Sequence, residues 1–397
     1  MAPSTGMTPW ATSARSLYLV AMAVFLVTIA IGILNGLDAV EFDRNQLLTH
    51  VHSGTIGWLT LTIVATTFLA LRAADGRLAA ALSVCVPIYV LAFYTGNYVF
   101  RAASGSLLLV VIVWLLAWTW RTYLAGERTL PRLGLTLALT TFTYGAIVGV
   151  LLQVGFASGT AIVPGDGIGA HAGAMTFGYL VLAGMAAAEW RVLGTTGMPR
   201  GGLVQMGALF IGGLILSLAL LTGQAQIGGM LYLVAELIAV VLFAVRIVPR
   251  ALGRLGMTNG EGHLALASLW IVIALGLFMY LVAQFISNPN DPNAINAGIL
   301  VGSDHSVYIG VITNTMFAML ALLLGARAGS PAVRQVVQWG MNAGLLVFVI
   351  GLVTGTQVAK QIGAPTMGVC LLLGLALYGS GLVATRTNPA PEAIVTA

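Results

Sequence analysis

Long uncharged apolar stretches recur along the whole chain, separated by short clusters of Gly, Pro, Asn, Asp and Arg. Windows of spanning length fall at about 17–36, 52–71, 79–100, 104–120, 134–155, 169–188, 203–223, 227–245, 264–286, 305–325, 337–358 and 366–385. About 20 apolar residues in helical form cross the hydrocarbon of a bilayer. A strand or loop in lipid would leave backbone polar groups unpaired. The pattern therefore predicts an all-α fold, a polytopic membrane protein of twelve transmembrane helices, with residues 1–397 forming a single transmembrane domain. Gly, Ala, Ser and Thr within the windows let neighbouring helices approach closely. The opening MAPSTGMTPWATSAR lacks a small-residue cleavage site after a short apolar core, so the first window is expected to be an uncleaved span.

Composition agrees. Only 7% of the 397 residues are charged and 59% are hydrophobic, with a mean hydropathy of +0.98. A soluble domain carries roughly a quarter charged residues, so an ordinary soluble globule, a nucleic-acid binder and a disordered chain are excluded. The lipid bilayer is the first expected partner. Cys85 and Cys370 both sit in apolar runs, which argues against a disulfide framework or a cysteine metal cluster. No phosphate-binding loop, HExxH helix or nucleophile elbow occurs.

The few charges carry topology. Arg15, Arg72, Arg77, Arg121, Arg128, Arg132, Arg191, Arg200, Arg246, Arg250, Arg254, Arg327, Arg334 and Arg386 fall before the first window, in every second loop or after the last, which places 14 of the 17 cations on one side. Arg44, Arg101 and Lys360 are the other three. By the positive-inside rule both termini are expected in the cytoplasm, and the host is expected to be the cell membrane. The opposite loops, GLDAVEFDRNQLLT, VGFASGTAIVPGDGIGA and ISNPNDPNAINAGILVGSD, are rich in turn and cap residues.

Four of the five histidines lie at that outer end: His50 and His52 at the second window, His171 at the sixth and His305 at the tenth. His263 opens the ninth at the opposite end and is expected to be interfacial. HSGTIGWLTL, HAGAMTFGYLVL and HSVYIGVITNTM each begin with a histidine and a small residue and carry a glycine five or seven positions on. The steps of 119 and 134 residues from His52 to His171 to His305 each cover four windows, which reads as a threefold repeat of four helices. Ionisable groups at span ends that share a depth mark a site. Imidazole suits Fe, Cu, Zn and Ni. Two opposed imidazoles suffice for haem iron, whereas a histidine-only zinc or copper site needs three that converge. Residues two apart on a helix point about 200° from each other, so either His50 and His52 face two neighbouring sites or His50 lies in the loop. Arg44 and Arg101 are candidate partners for haem propionates. Thr49, Ser53, Tyr94, Asn97, Asp304, Ser306 and Tyr308 are candidates to orient ligands, and Trp58 reads as an aromatic-belt residue.

This arrangement resembles the catalytic subunit of the haem–copper oxidase superfamily, the cytochrome oxidases and nitric oxide reductases. THVHSGTIGW is similar to the second-helix haem-ligand region, GAHAGAMTFGY stands where the sixth helix supplies a copper ligand, and DHSVYIGVITN is similar to the tenth-helix region. The resemblance implies twelve spans in three pseudo-symmetric arcs of four. It also implies a low-spin haem, of the b type, held by His305 and either His50 or His52, with copper or a second haem at His171. A quinol or an electron-donor protein would be the partner. The departures bear on activity. Where the family has a second tenth-helix histidine this chain has Ser303, the seventh window has no histidine, and Met175 stands four residues after His171. The oxidoreductase's binuclear centre is therefore incomplete, and electron transfer or the handling of O2 or NO are the expected roles. The His50-Val51-His52 to Gly57 spacing is also similar to a twelve-span haem- and copper-containing family associated with nitric oxide stress, although Ser53 and Gly54 replace its EM pair. The competing reading is a metal or proton transporter, for which Glu189 and Glu236 are the carboxylates of interest. A haem-binding sensor without turnover is a third.

Overall fold

The computed structural model describes residues 8–288 and 295–384. Arg386 and the 289–294 part of the loop before the tenth span lie outside the described residues. The described residues form an all-α polytopic membrane protein with no strand. Its twelve helices are long and apolar enough to cross a membrane: α1 Pro9–Gly36, α2 Arg44–Leu71, α3 Gly76–Tyr94, α4 Tyr98–Ala125, α5 Leu130–Ser158, α6 Gly167–Leu193, α7 Arg200–Leu221, α8 Ala225–Arg246, α9 Glu261–Gln284, α10 Ala297–Arg327, α11 Pro331–Thr354 and α12 Gln357–Ala384.

Three helices form the centre. The apolar window of α2 and of α10 is 89% buried and that of α6 72%, against 39, 39 and 33% for α4, α7 and α8. Each central helix starts on a polar cap. Asp43 accepts from the Gln46 amide at 2.8 Å, Asp166 from Gly169 at 2.8 Å and Asn296 from Gly298 at 2.8 Å. These caps satisfy amides that the first helical turn leaves open. They also begin α2 and α10 eight residues before the apolar windows do, so His50 is helical rather than in a loop.

Each central helix then widens into an eight-residue π-helical segment: Ser53–Thr60, Ala174–Val181 and Ser306–Thr313. Segments of this kind are rare and concentrate at functional sites. The fifth residue is glycine in all three, Gly57, Gly178 and Gly310, because another helix presses on it. A Cβ there would meet Val24 of α1 at 2.3 Å, Thr141 of α5 at 2.6 Å and Trp270 of α9 at 2.4 Å. The three segments are thus equivalent parts of repeats α1–α4, α5–α8 and α9–α12. Trp58 Nε1 donates to Thr313 Oγ1 at 2.9 Å, and the hydroxyls of Thr176 and Tyr308 share a 3.1 Å hydrogen bond. These bonds tie α2 and α6 to α10.

Trp58 corrects the sequence reading. It is fully buried and stacked on Phe25 at 4.7 Å, not part of an interfacial belt.

Candidate metal-binding cavities

Two cavities open beside the π-helical segments, and each holds one histidine pair. The first, of about 430 Å³, lies between the third and first repeats and contains His50 and His305. The second, of about 230 Å³, lies between the first and second repeats and contains His52 and His171. His52, His171 and His305 are therefore not gathered at one point. Among the described residues no group of three His, Cys, Asp or Glu converges as a metal site.

All four rings are held the same way. His50 Nδ1 donates to the Thr28 carbonyl at 2.9 Å, His171 Nδ1 to that of Gly145 at 2.8 Å, His52 Nδ1 to that of Leu48 at 2.7 Å and His305 Nδ1 to that of Val301 at 2.8 Å. A carbonyl can only accept, so Nδ1 carries the proton and Nε2 keeps a lone pair. Metal-ligating histidines are oriented by just such a bond.

The bonds also set the register. His50 and His171 each stand three residues before the π-helical segment and lean on the preceding helix. A Cβ on Gly32 would lie 3.0 Å from the His50 ring, and one on Gly149 would lie 2.7 Å from the His171 ring. His52 and His305 each stand immediately before the segment and bond within their own helix. His171 is thus the counterpart of His50, not of His52 as the shared His-small-residue start suggests.

The rings of His50 and His305 are 6.5 Å apart between centres and inclined by 24°. A separation of this order leaves room for a metal held by both rings, with each nitrogen about 2.0 Å from it. The cavity is walled by apolar groups such as Phe25, Ile29, Met367 and Leu371, and its volume lies within the usual range for a small-molecule site. Asp38, Gln357 and Lys360 line it as well, with Gln357 hydrogen-bonded to Asp38. Asp304 and Tyr308 reach the same cavity. The pair, the slot and the cation fit a haem.

Lys360 was not singled out by sequence as a cofactor contact. Its counting among the three outer cations was the available signal. Arg101 is only 1% exposed, and its guanidinium is engaged by the Phe93 carbonyl at 2.7 Å and Asn45 Oδ1 at 2.8 Å. It lies over the Phe93 ring, which stacks on His52 at 3.6 Å. Arg44 is exposed at the start of α2. Tyr94 is exposed, Asn97 caps α4, and the Thr49, Ser53 and Ser306 hydroxyls donate to carbonyls of their own helices.

Elsewhere, His263 is 1% exposed and bonds Asn314 at 2.8 Å, within a network that includes Asn342 and Trp270. The interfacial expectation for it is overturned, because the Asn314 amide of α10 gives the ring a buried partner. Glu189 is ion-paired with Arg246 at 2.7 Å, and Gln205 accepts from the same arginine at 2.8 Å. Glu236 is buried one turn beyond Tyr232 on α8.

No protein-family model and no curated protein sequence matches this chain.

Proposed function

We propose that this protein is a membrane haem protein in which His50 and His305 would hold a low-spin haem, and that its work is electron transfer. The observation that carries this reading is the 6.5 Å separation of two rings whose Nδ1 atoms are both tied back to carbonyls. The haem would supply a one-electron iron couple, its potential set by the side chains that hold it and by burial. His50 and His305 would hold the iron from α2 and α10, the Thr28 and Val301 carbonyls fix the orientation of the two rings, and the apolar wall would keep water from the site. Lys360, which lines the cavity, would pair with a haem propionate. Ligation by two protein side chains would favour electron transfer over gas binding. The arginine asymmetry supports an outer-face position for the site in the cell membrane, with both termini cytoplasmic.

Purified full-length protein, expressed with ample haem, should show a Soret band and a pyridine haemochrome equivalent that is lost in His50→Ala and in His305→Ala. Colourless protein would refute the proposal.

A further inference from the structure

We propose that His52 and His171 hold a second metal between their two Nε2 atoms, in the cavity between the first and second repeats. The kind of metal rests on the reading of the first pair; the site itself rests on a comparison of three equivalent places in this fold.

Each junction between repeats is defined by four positions. At the His50–His305 junction they are these two histidines, Gly32 of α1 and Ala364, the eighth residue of α12. At the second junction they are His171, His52, Gly149 of α5 and Gly105, the eighth residue of α4. Both have two histidines and two small residues, and both open a cavity.

The third junction differs at all four. Ser303 and Gly173 stand where the histidines do, three residues and one residue before their π-helical segments. Gly32 and Gly149 each lie eight residues beyond the residue that presses on the π-helical glycine; eight beyond Trp270 is Phe278. The eighth residue of α8 is Tyr232. The rings of Phe278 and Tyr232 meet edge to face at 5.3 Å, Phe278 is 4.5 Å from Phe177, and both are buried. Where the fold has no histidine pair it fills the space with aromatic rings, as close-packed interiors require. Where it keeps a pair it keeps the space open. A purely structural His52 and His171 would need no such room.

The ring of His52 is also fixed by more than its own helix. Phe93 stacks on it at 3.6 Å and Tyr89 meets it edge-on at 6.2 Å. Met175, one turn beyond His171, lines the same cavity. Two imidazoles beside a thioether suit either haem iron or copper in its reduced state. The shared chemistry is a metal taken between two imidazole nitrogens.

The test is iron, copper and haem per chain in purified full-length protein expressed with both metals supplied. Two metals per chain are expected, either two haem irons or one haem iron and one copper. His171→Ala should lower the count by one. Gly149→Phe, which copies the third junction and leaves every histidine in place, should do the same. Both variants should retain the centre that His305→Ala removes. A single metal that is lost in His305→Ala and kept in both His171→Ala and Gly149→Phe would overturn this proposal alone. A single metal lost in His171→Ala and kept in His305→Ala would support it while overturning the first reading. Absence of any metal would overturn both.

Discussion

His50 and His52, two residues apart on α2, enter separate cavities on opposite sides of one helix. A helix turns about 100° per residue, so one short motif serves two junctions and is shared by all three repeats: His50 meets α10, and His52 meets α6.

Each cavity should be separately addressable. Gly32→Phe drives a side chain into the ring of His50, against which even a Cβ would stand at 3.0 Å. It should abolish binding at the first centre and leave the second, as read by metal content and by the optical spectrum.

Filling and function should separate at the third junction. Phe278→Ala removes a buried ring from a place with no histidine pair and should lower stability by about 3 kcal/mol. Thermal unfolding in detergent measures this, and metal content should stay at the wild-type value.

Lys360→Gln should weaken haem retention at the first centre by at most about fivefold, because a partly exposed ion pair contributes up to about 1 kcal/mol. Haem transfer to an acceptor protein gives the rate. His52 and His171 should be unaffected.

Arg246→Met leaves the fully buried Glu189 without its cation. Removing one partner of a buried pair costs about 3–5 kcal/mol, so the melting temperature should fall sharply while both metal centres persist. A transporter that used Glu189 as a proton carrier would instead lose transport at unchanged stability.

The spans were legible because twenty-residue apolar windows leave lipid-facing backbone no other conformation. Helix starts were not. Asp43, Asp166 and Asn296 cap helices through polar first turns that hydropathy ignores, which hid the helical setting of His50. The repeat could be read from His52, His171 and His305, but its register could not. The glycine lies five residues after His52 and His305 and seven after His171. Contact with α1, α5 and α9 fixes the glycine, so the histidine is what moves, and the unequal spacing meant that His171 belongs with His50. The filled third junction was invisible because Phe278 and Tyr232 look like any other apolar span residues until three helices bring them together. Lys360 was hidden for the same reason, since it joins His50 only through the packing of α12 on α1.

The ferric electron paramagnetic resonance spectrum of the purified full-length protein tests haem binding by His50 and His305 most directly. With His50 and His305 inclined by only 24°, a rhombic low-spin signal of the kind given by near-parallel imidazoles is expected, lost in His50→Ala and in His305→Ala. A spectrum with no low-spin iron, or a low-spin signal that persists unchanged in both variants, would contradict it.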